Sequence, residues 1–166
     1  MNNIVLIGFM GCGKSTFGKW LARAEKRKFI DTDDYIEELE GKKIKDIFAQ
    51  EGEEYFRQLE TKALKKLLDE NTDMVLAVGG GLPVRKENRE LLKNEKTVYL
   101  RATIDTLEKR LKGDTKRPLL AGGNVREKIA TLMEKRSDIY EEAADVIIDT
   151  DDLRFEDIYD LLKQKN

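Results

Sequence analysis

Gly8-Phe9-Met10-Gly11-Cys12-Gly13-Lys14-Ser15-Thr16 is the stretch that decides the fold. The apolar run Ile4-Val5-Leu6-Ile7 leads into it, and a segment with Phe17, Leu21 and Ala24 at helical spacing follows. Strand, glycine turn and helix, with the spacing G-x-x-x-x-G-K-[ST], make a phosphate-binding loop. Glycines let successive backbone N–H groups turn toward a polyphosphate, where side chains would block the approach. The helix that follows presents its positive end to the same phosphates. Gly11, Cys12, Gly13, Lys14, Ser15 and Thr16 form the nucleotide-binding stretch. Lys14 offers a cation to the β- and γ-phosphates, and the Ser15 hydroxyl can ligate Mg²⁺. The loop implies ATP or GTP.

Composition narrows the rest. The 166 residues suit one domain with a sizeable core, spanning residues 1–166. Charged residues make up 39% of the chain at a net charge of −2, and no basic helix with interleaved aromatics appears, so a nucleic-acid groove is not expected. No apolar run approaches membrane-spanning length, and Met1-Asn2-Asn3 opens no charged-then-apolar leader. One cysteine excludes an internal disulfide and fits a reducing cytoplasm. Histidine is absent, so a general base must be a carboxylate, Lys, Tyr or Cys12, and imidazole metal sites are excluded.

Short apolar runs alternate with amphipathic segments, the pattern of a parallel sheet covered by helices in an α/β fold. Strands are expected at residues 3–7, 28–31, 74–78, 97–100 and 145–149. Helices are expected at 14–25, 34–39, 53–68, 86–93, 104–112, 125–140 and 155–163. Residues 113–124 break the alternation between two helices and read as a mobile lid with glycines at its far hinge.

Asp31-Thr32-Asp33-Asp34 closes the second strand, at the edge where open α/β sheets bind ligands. The third strand ends in Gly79-Gly80-Gly81, without the acidic residue that could hold a metal there, so Asp31 becomes the candidate for Mg²⁺, through water. Asp33 can accept or orient a hydroxyl proton, although Asp33 or Asp34 could instead cap the next helix. Three consecutive glycines suit a close approach to the backbone. Arg57 and Arg136 each interrupt an apolar helix stripe, with Glu60 three residues after Arg57 to steer it. Each alone fits snorkelling or a salt bridge, and together they suggest a fork for an anionic acceptor such as a carboxylate. Arg117, inside the lid, can neutralise transferring phosphate, and Arg110 can stack on adenine, pair with a phosphate, or remain a solvated charge.

The loop, Asp31-Thr32-Asp33, Ile47-Phe48 with Gly52-Glu53, Phe56-Arg57-x-x-Glu60, Gly79-Gly80-Gly81, Arg117-Pro118-Leu119-Leu120, and Arg136 with Tyr140-x-Glu142 together resemble the shikimate kinases of the nucleoside-monophosphate-kinase-like group. The resemblance implies a three-layer α/β/α P-loop kinase with a five-stranded parallel sheet and acceptor-binding helices near residues 32–70. It implies transfer of the ATP γ-phosphoryl group to the 3-hydroxyl of shikimate. Asp33, Arg57, Gly79, Gly80, Gly81 and Arg136 would bind shikimate, with Phe48 and Phe56 walling its ring. Lys14, Asp33 and Arg117 would be catalytic, Ser15 and Asp31 would hold Mg²⁺, and Arg110 with Thr150-Asp151-Asp152 would border the adenine. A gluconate kinase of the same fold shares the loop and lid but does not explain the arginine fork. A non-catalytic nucleotide-binding module does not explain the presence of Lys14, Asp33 and Arg117 together. With no coiled coil or large apolar stripe, a monomer is expected.

Overall fold

The computed structural model describes residues 2–112, 118–120 and 122–165. Five strands, β1 (Ile4–Ile7), β2 (Lys28–Asp31), β3 (Met74–Ala77), β4 (Lys96–Arg101) and β5 (Val146–Asp149), form one sheet in the order β2-β3-β1-β4-β5. Every pairing is parallel, with Val5 opposite Leu76 on one side and Thr97 on the other. Strands β1 and β3 are buried along their whole length, as unbroken apolar runs in the middle of a covered parallel sheet should be. The edge strands β2 and β5 are partly exposed, and β4 is so only at its ends, Lys96 and Arg101.

The described residues also form eight α-helices: α1 (Lys14–Glu25), α2 (Thr32–Glu40), α3 (Ile44–Glu51), α4 (Glu53–Glu70), α5 (Lys86–Leu92), α6 (Ile104–Leu111), α7 (Val125–Ala143) and α8 (Phe155–Gln164). From β1 the chain crosses outward to β2, whereas each later connection moves in the opposite direction along the sheet. Right-handed crossovers therefore put α1 on one face and α4, α5 and α7 on the other. Helix α8 returns to the face of α1, where Phe17 and Trp20 meet Phe155 and Tyr159. This is the expected α/β/α arrangement.

Two elements depart from the sequence reading. Helix α2 starts at Thr32 rather than at residue 34, because the Asp31 side chain caps it, accepting from the Asp33 and Asp34 amides at 2.8 and 3.1 Å. The cap is thus Asp31, and neither Asp33 nor Asp34 serves that role. Helix α3 was not expected, being short and bounded by Gly41 and Gly52, both at positive φ. It exists because Ile44, Ile47 and Phe48 share one face and pack on α2 and α4. Ile36, Ile47, Phe56 and Ala63 form a small core there, separate from the main core around the sheet.

Of the proposed lid, residues 113–117 and 121 lie outside the described residues, and Arg117 is among them. Pro118–Leu120 forms a 3-10 turn with Leu120 buried, and Asn124 caps α7 by accepting from the Glu127 amide.

Ile47 is fully buried at the centre of the small core. Ile47→Ala should lower unfolding free energy by about 2–4 kcal/mol and Ile47→Val by about 1 kcal/mol, measured by denaturant titration. A loss under about 1 kcal/mol for alanine would mean that this cluster is not close-packed.

Candidate active site

A parallel sheet brings the carboxyl ends of all its strands to one edge, and a cavity of about 920 Å³ lies along that edge. Its walls come from the loop after β1, the acidic turn after β2, the glycine turn after β3, Arg110 of α6, Arg136 of α7 and Thr150 after β5.

The nucleotide end is built from the loop. Gly13 caps α1 at φ 98°, a conformation a side chain would strain, and no acidic residue occupies the first helical turn to compete for an anion. Lys14 is only 8% exposed. Its Nζ donates to the Gly8 and Phe9 carbonyls at 2.7 and 3.1 Å, which holds the ammonium inside the loop. Arg110 Nη1 donates to the Gly11 carbonyl at 3.2 Å, so this exposed arginine reaches the loop. Cys12 is buried as a small filler, its Sγ beside Gly8.

Ser15 Oγ donates to Asp31 Oδ2, while Asp31 Oδ1 is occupied with capping α2. A hydroxyl and a carboxylate side by side are hard oxygen donors that suit Mg²⁺. Among the described residues no cluster of three or more His, Cys, Asp or Glu forms a closed metal cage.

The other end gathers charge around Gly79, Gly80 and Gly81. A Cβ on Gly79 would stand 2.8 Å from Asp33 Oδ1 and 2.9 Å from Glu60 Oε2. One on Gly81 would stand 2.5 Å from Arg57 Nη1, and one on Gly80 3.5 Å from Arg136 Nη1. None of the three glycines has positive φ, so their bareness answers close approach rather than backbone strain. Asp33, Arg57, Glu60 and Arg136 therefore meet on one short piece of chain.

Arg57 donates to Glu60 at 2.6 Å and to Glu53 at 3.3 Å. Glu60 is 0% exposed, and burial pushes its carboxyl above the ordinary range against the pull of Arg57 and Arg136. Burial also works against the Arg57 charge, but Glu60 and Glu53 outweigh it and raise the guanidinium pKa. Arg136 is 6% exposed, and its Nη1 is buried without a hydrogen-bond acceptor among the described residues. Leaving a charged donor so placed is costly unless an anion is to occupy the position. Phe48 and Phe56, with ring centroids 5.0 Å apart, wall the same end.

Three residues that sequence reasoning did not assign hold the glycine turn. Buried Thr32 Oγ1 accepts from the Gly79 amide at 3.0 Å, Tyr140 Oη donates to the Gly80 carbonyl, and Asn88 Nδ2 donates to the Leu82 carbonyl at 2.8 Å. Thr32 lies 47 residues from Gly79 in sequence, so no local signal could reveal it. Tyr140 stands in the motif with Arg136, but nothing local to it shows that it bonds the glycine turn.

A family model described as "Shikimate kinase" matches residues 10–165. A shikimate kinase of Persephonella marina is 45% identical over 152 residues, covering 91% of this chain and 90% of that protein. The shikimate kinase from Acinetobacter baumannii, solved in complex with shikimate, superposes with a TM-score of 0.94 at 37% identity, covering 99% of this chain and 92% of that one. A gluconokinase from Sinorhizobium meliloti, at 18% identity and a TM-score of 0.57, shares the fold alone.

Two outcomes follow from this geometry. In Gly81→Ala the Arg57 guanidinium, the far end of a flexible side chain, must give way to the new Cβ. Stability should change by less than about 1 kcal/mol, while affinity for an anionic acceptor measured by calorimetry falls at least about tenfold. Burial also lifts Tyr99 to about 12 and Tyr140 still higher. The folded chain then holds these protons more tightly than the unfolded one, so their contribution to stability is complete below about pH 10 and is lost as pH rises through about 12. Absorbance titration should show both phenols ionising late, together with unfolding, and Tyr99→Phe should remove one of them from the late phase.

Proposed function

This chain belongs to the shikimate kinase family, and on that premise we propose how its residues divide the work of an ATP-dependent phosphotransferase. The 3-hydroxyl oxygen of shikimate attacks the γ-phosphorus of ATP, the bond to the β-phosphate oxygen breaks, and shikimate 3-phosphate and ADP result. The observation that carries this reading is the convergence of Asp33, Arg57 and Arg136 on Gly79–Gly81, in the same cavity as the phosphate-binding loop.

The backbone of Gly11 to Thr16 cradles the phosphates, and Lys14 neutralises charge on the transferring group. Arg117, assigned from the sequence, does the same from the lid. Arg110 and the turn at Thr150-Asp151-Asp152 border the adenine. Arg57 and Arg136 grip the shikimate carboxylate, and the buried, acceptor-less Nη1 of Arg136 supports that assignment. Phe48 and Phe56 cover the ring. Asp33 binds the hydroxyls and orients or takes the proton of the attacking one. Ser15 and Asp31 would hold Mg²⁺, which supplies charge neutralisation at the phosphates when bound.

The chain is further proposed to act as a cytoplasmic monomer on small molecules, without nucleic acid or membrane. Its exposed large apolar residues among those described, Leu39, Tyr55 and Val84, belong to three different elements. No helix among the described residues is long and apolar enough to cross a membrane.

The deciding measurement is ADP release from MgATP with shikimate, gluconate, AMP or no acceptor. Release that requires shikimate is the expected result, and release with gluconate in its place would overturn the arginine assignment. Arg136→Ala should weaken shikimate binding by about 1.5–3 kcal/mol and leave ATP affinity within about twofold. An equal loss for both ligands would refute the proposed division.

A further inference from the structure

Beside the acceptor end runs a hydrogen-bond chain of Thr61, Leu82, Arg85 and Asn88, none of which lines the cavity. Asn88 of α5 is 0% exposed. Its Nδ2 donates to the Leu82 carbonyl at 2.8 Å, which fixes the amide orientation because a carbonyl can only accept. Asn88 Oδ1 therefore needs a donor, and the Thr61 hydroxyl provides it at 2.8 Å. Thr61 Oγ1 also lies 3.2 Å from the Arg57 carbonyl one turn back on α4, a longer second acceptor for the same proton, and it accepts from Arg85 Nη1 at 3.4 Å. The bonds run in one direction: Arg85 to Thr61, Thr61 to Asn88, Asn88 to Leu82.

Two members of this chain, Thr61 and Leu82, adjoin the two halves of the acceptor site. Thr61 follows Glu60 on α4, one turn from Arg57. Leu82 follows Gly81, and its own amide donates to the Gly79 carbonyl at 3.0 Å, closing the glycine turn. The spacing of the turn from α4 sets the fit of Arg57 against Gly81, where no room for a Cβ is left. The geometry points to Asn88 and Thr61 as positioning residues that hold the glycine turn at a fixed distance from Arg57, and so tune acceptor affinity without contributing to the nucleotide end. This inference relies on the assignment of Arg57 and the glycine turn to shikimate.

Steady-state kinetics on the full-length chain, varying each substrate separately, test it. Wild-type turnover saturable in shikimate is established first, and its absence would count against the functional reading itself, before any variant is made. Asn88→Leu and Thr61→Val should raise KM for shikimate roughly five- to thirtyfold, the scale of a lost buried hydrogen bond, with KM for ATP within about twofold. Thr61→Ser, which keeps the hydroxyl, should restore the wild-type value. The double variant T61V/N88L should be no worse than N88L alone, because the two bonds act as one unit. Thr61→Val is nearly isosteric and gives the same readout if Asn88→Leu does not fold. A folded variant with lowered Tm but unchanged KM for shikimate would overturn the inference. An equal rise in both KM values would also overturn it, since that marks general loosening.

Discussion

All five strands run the same way, and that one constraint places everything else. A strand paired in parallel with its neighbours ends where they end, so five separate turns open onto one edge. The loop after β1 brings a helix N-terminus there, the turn after β2 brings Asp31 and Asp33, and the turn after β3 brings bare backbone. The segments after β4 and β5 bring Arg110, Arg136 and Thr150. An antiparallel strand in the middle of the sheet would have sent one of these groups to the opposite edge, more than a strand length away.

Within that edge, charge is arranged at two levels of burial. Lys14 is held by loop carbonyls, and the Ser15–Asp31 pair belongs to a helix cap, so the nucleotide end is organised by backbone groups. The acceptor end is organised by side chains: Arg57 is oriented by Glu60 and Glu53, while among the described residues Arg136 keeps an unmatched Nη1. One guanidinium is thus fixed in place by its own carboxylates, and the other has a position left for an incoming anion. Removing Glu60 would leave Arg57 both unguided and buried beside Arg136, a costlier change than trimming a surface pair.

Much of this was legible because its signals are local. The apolar runs fix the five strands to within a residue, and the phosphate-binding loop declares itself within nine residues. Arg57 and Arg136 stand out because each interrupts an apolar stripe, and the glycine turn because three bare residues are rare. Helix α3 carries a helical spacing in Ile44, Ile47 and Phe48, but eight residues between Gly41 and Gly52 are too few for that period to stand out. The start of α2 was missed because Asp31 was read for its metal chemistry, and its second oxygen turns out to cap the helix. Thr32, Thr61 and Asn88 could not be found this way at all. Their partners are distant in sequence, and a threonine or asparagine on a helix carries no mark of whether it faces solvent or a carbonyl of another element.

The small core beneath α2, α3 and α4 shares no fully buried residue with the large core around the sheet, and only Tyr35 packs against both among the described residues. This separation bears on descent. Substitutions at Ile36, Ile47, Phe56 or Ala63 reshape the surface that faces the acceptor while the packing under the phosphate-binding loop stays as it was. A lineage can therefore rewrite what it phosphorylates by changing one compact insert and inherit the machinery for handling the nucleotide intact.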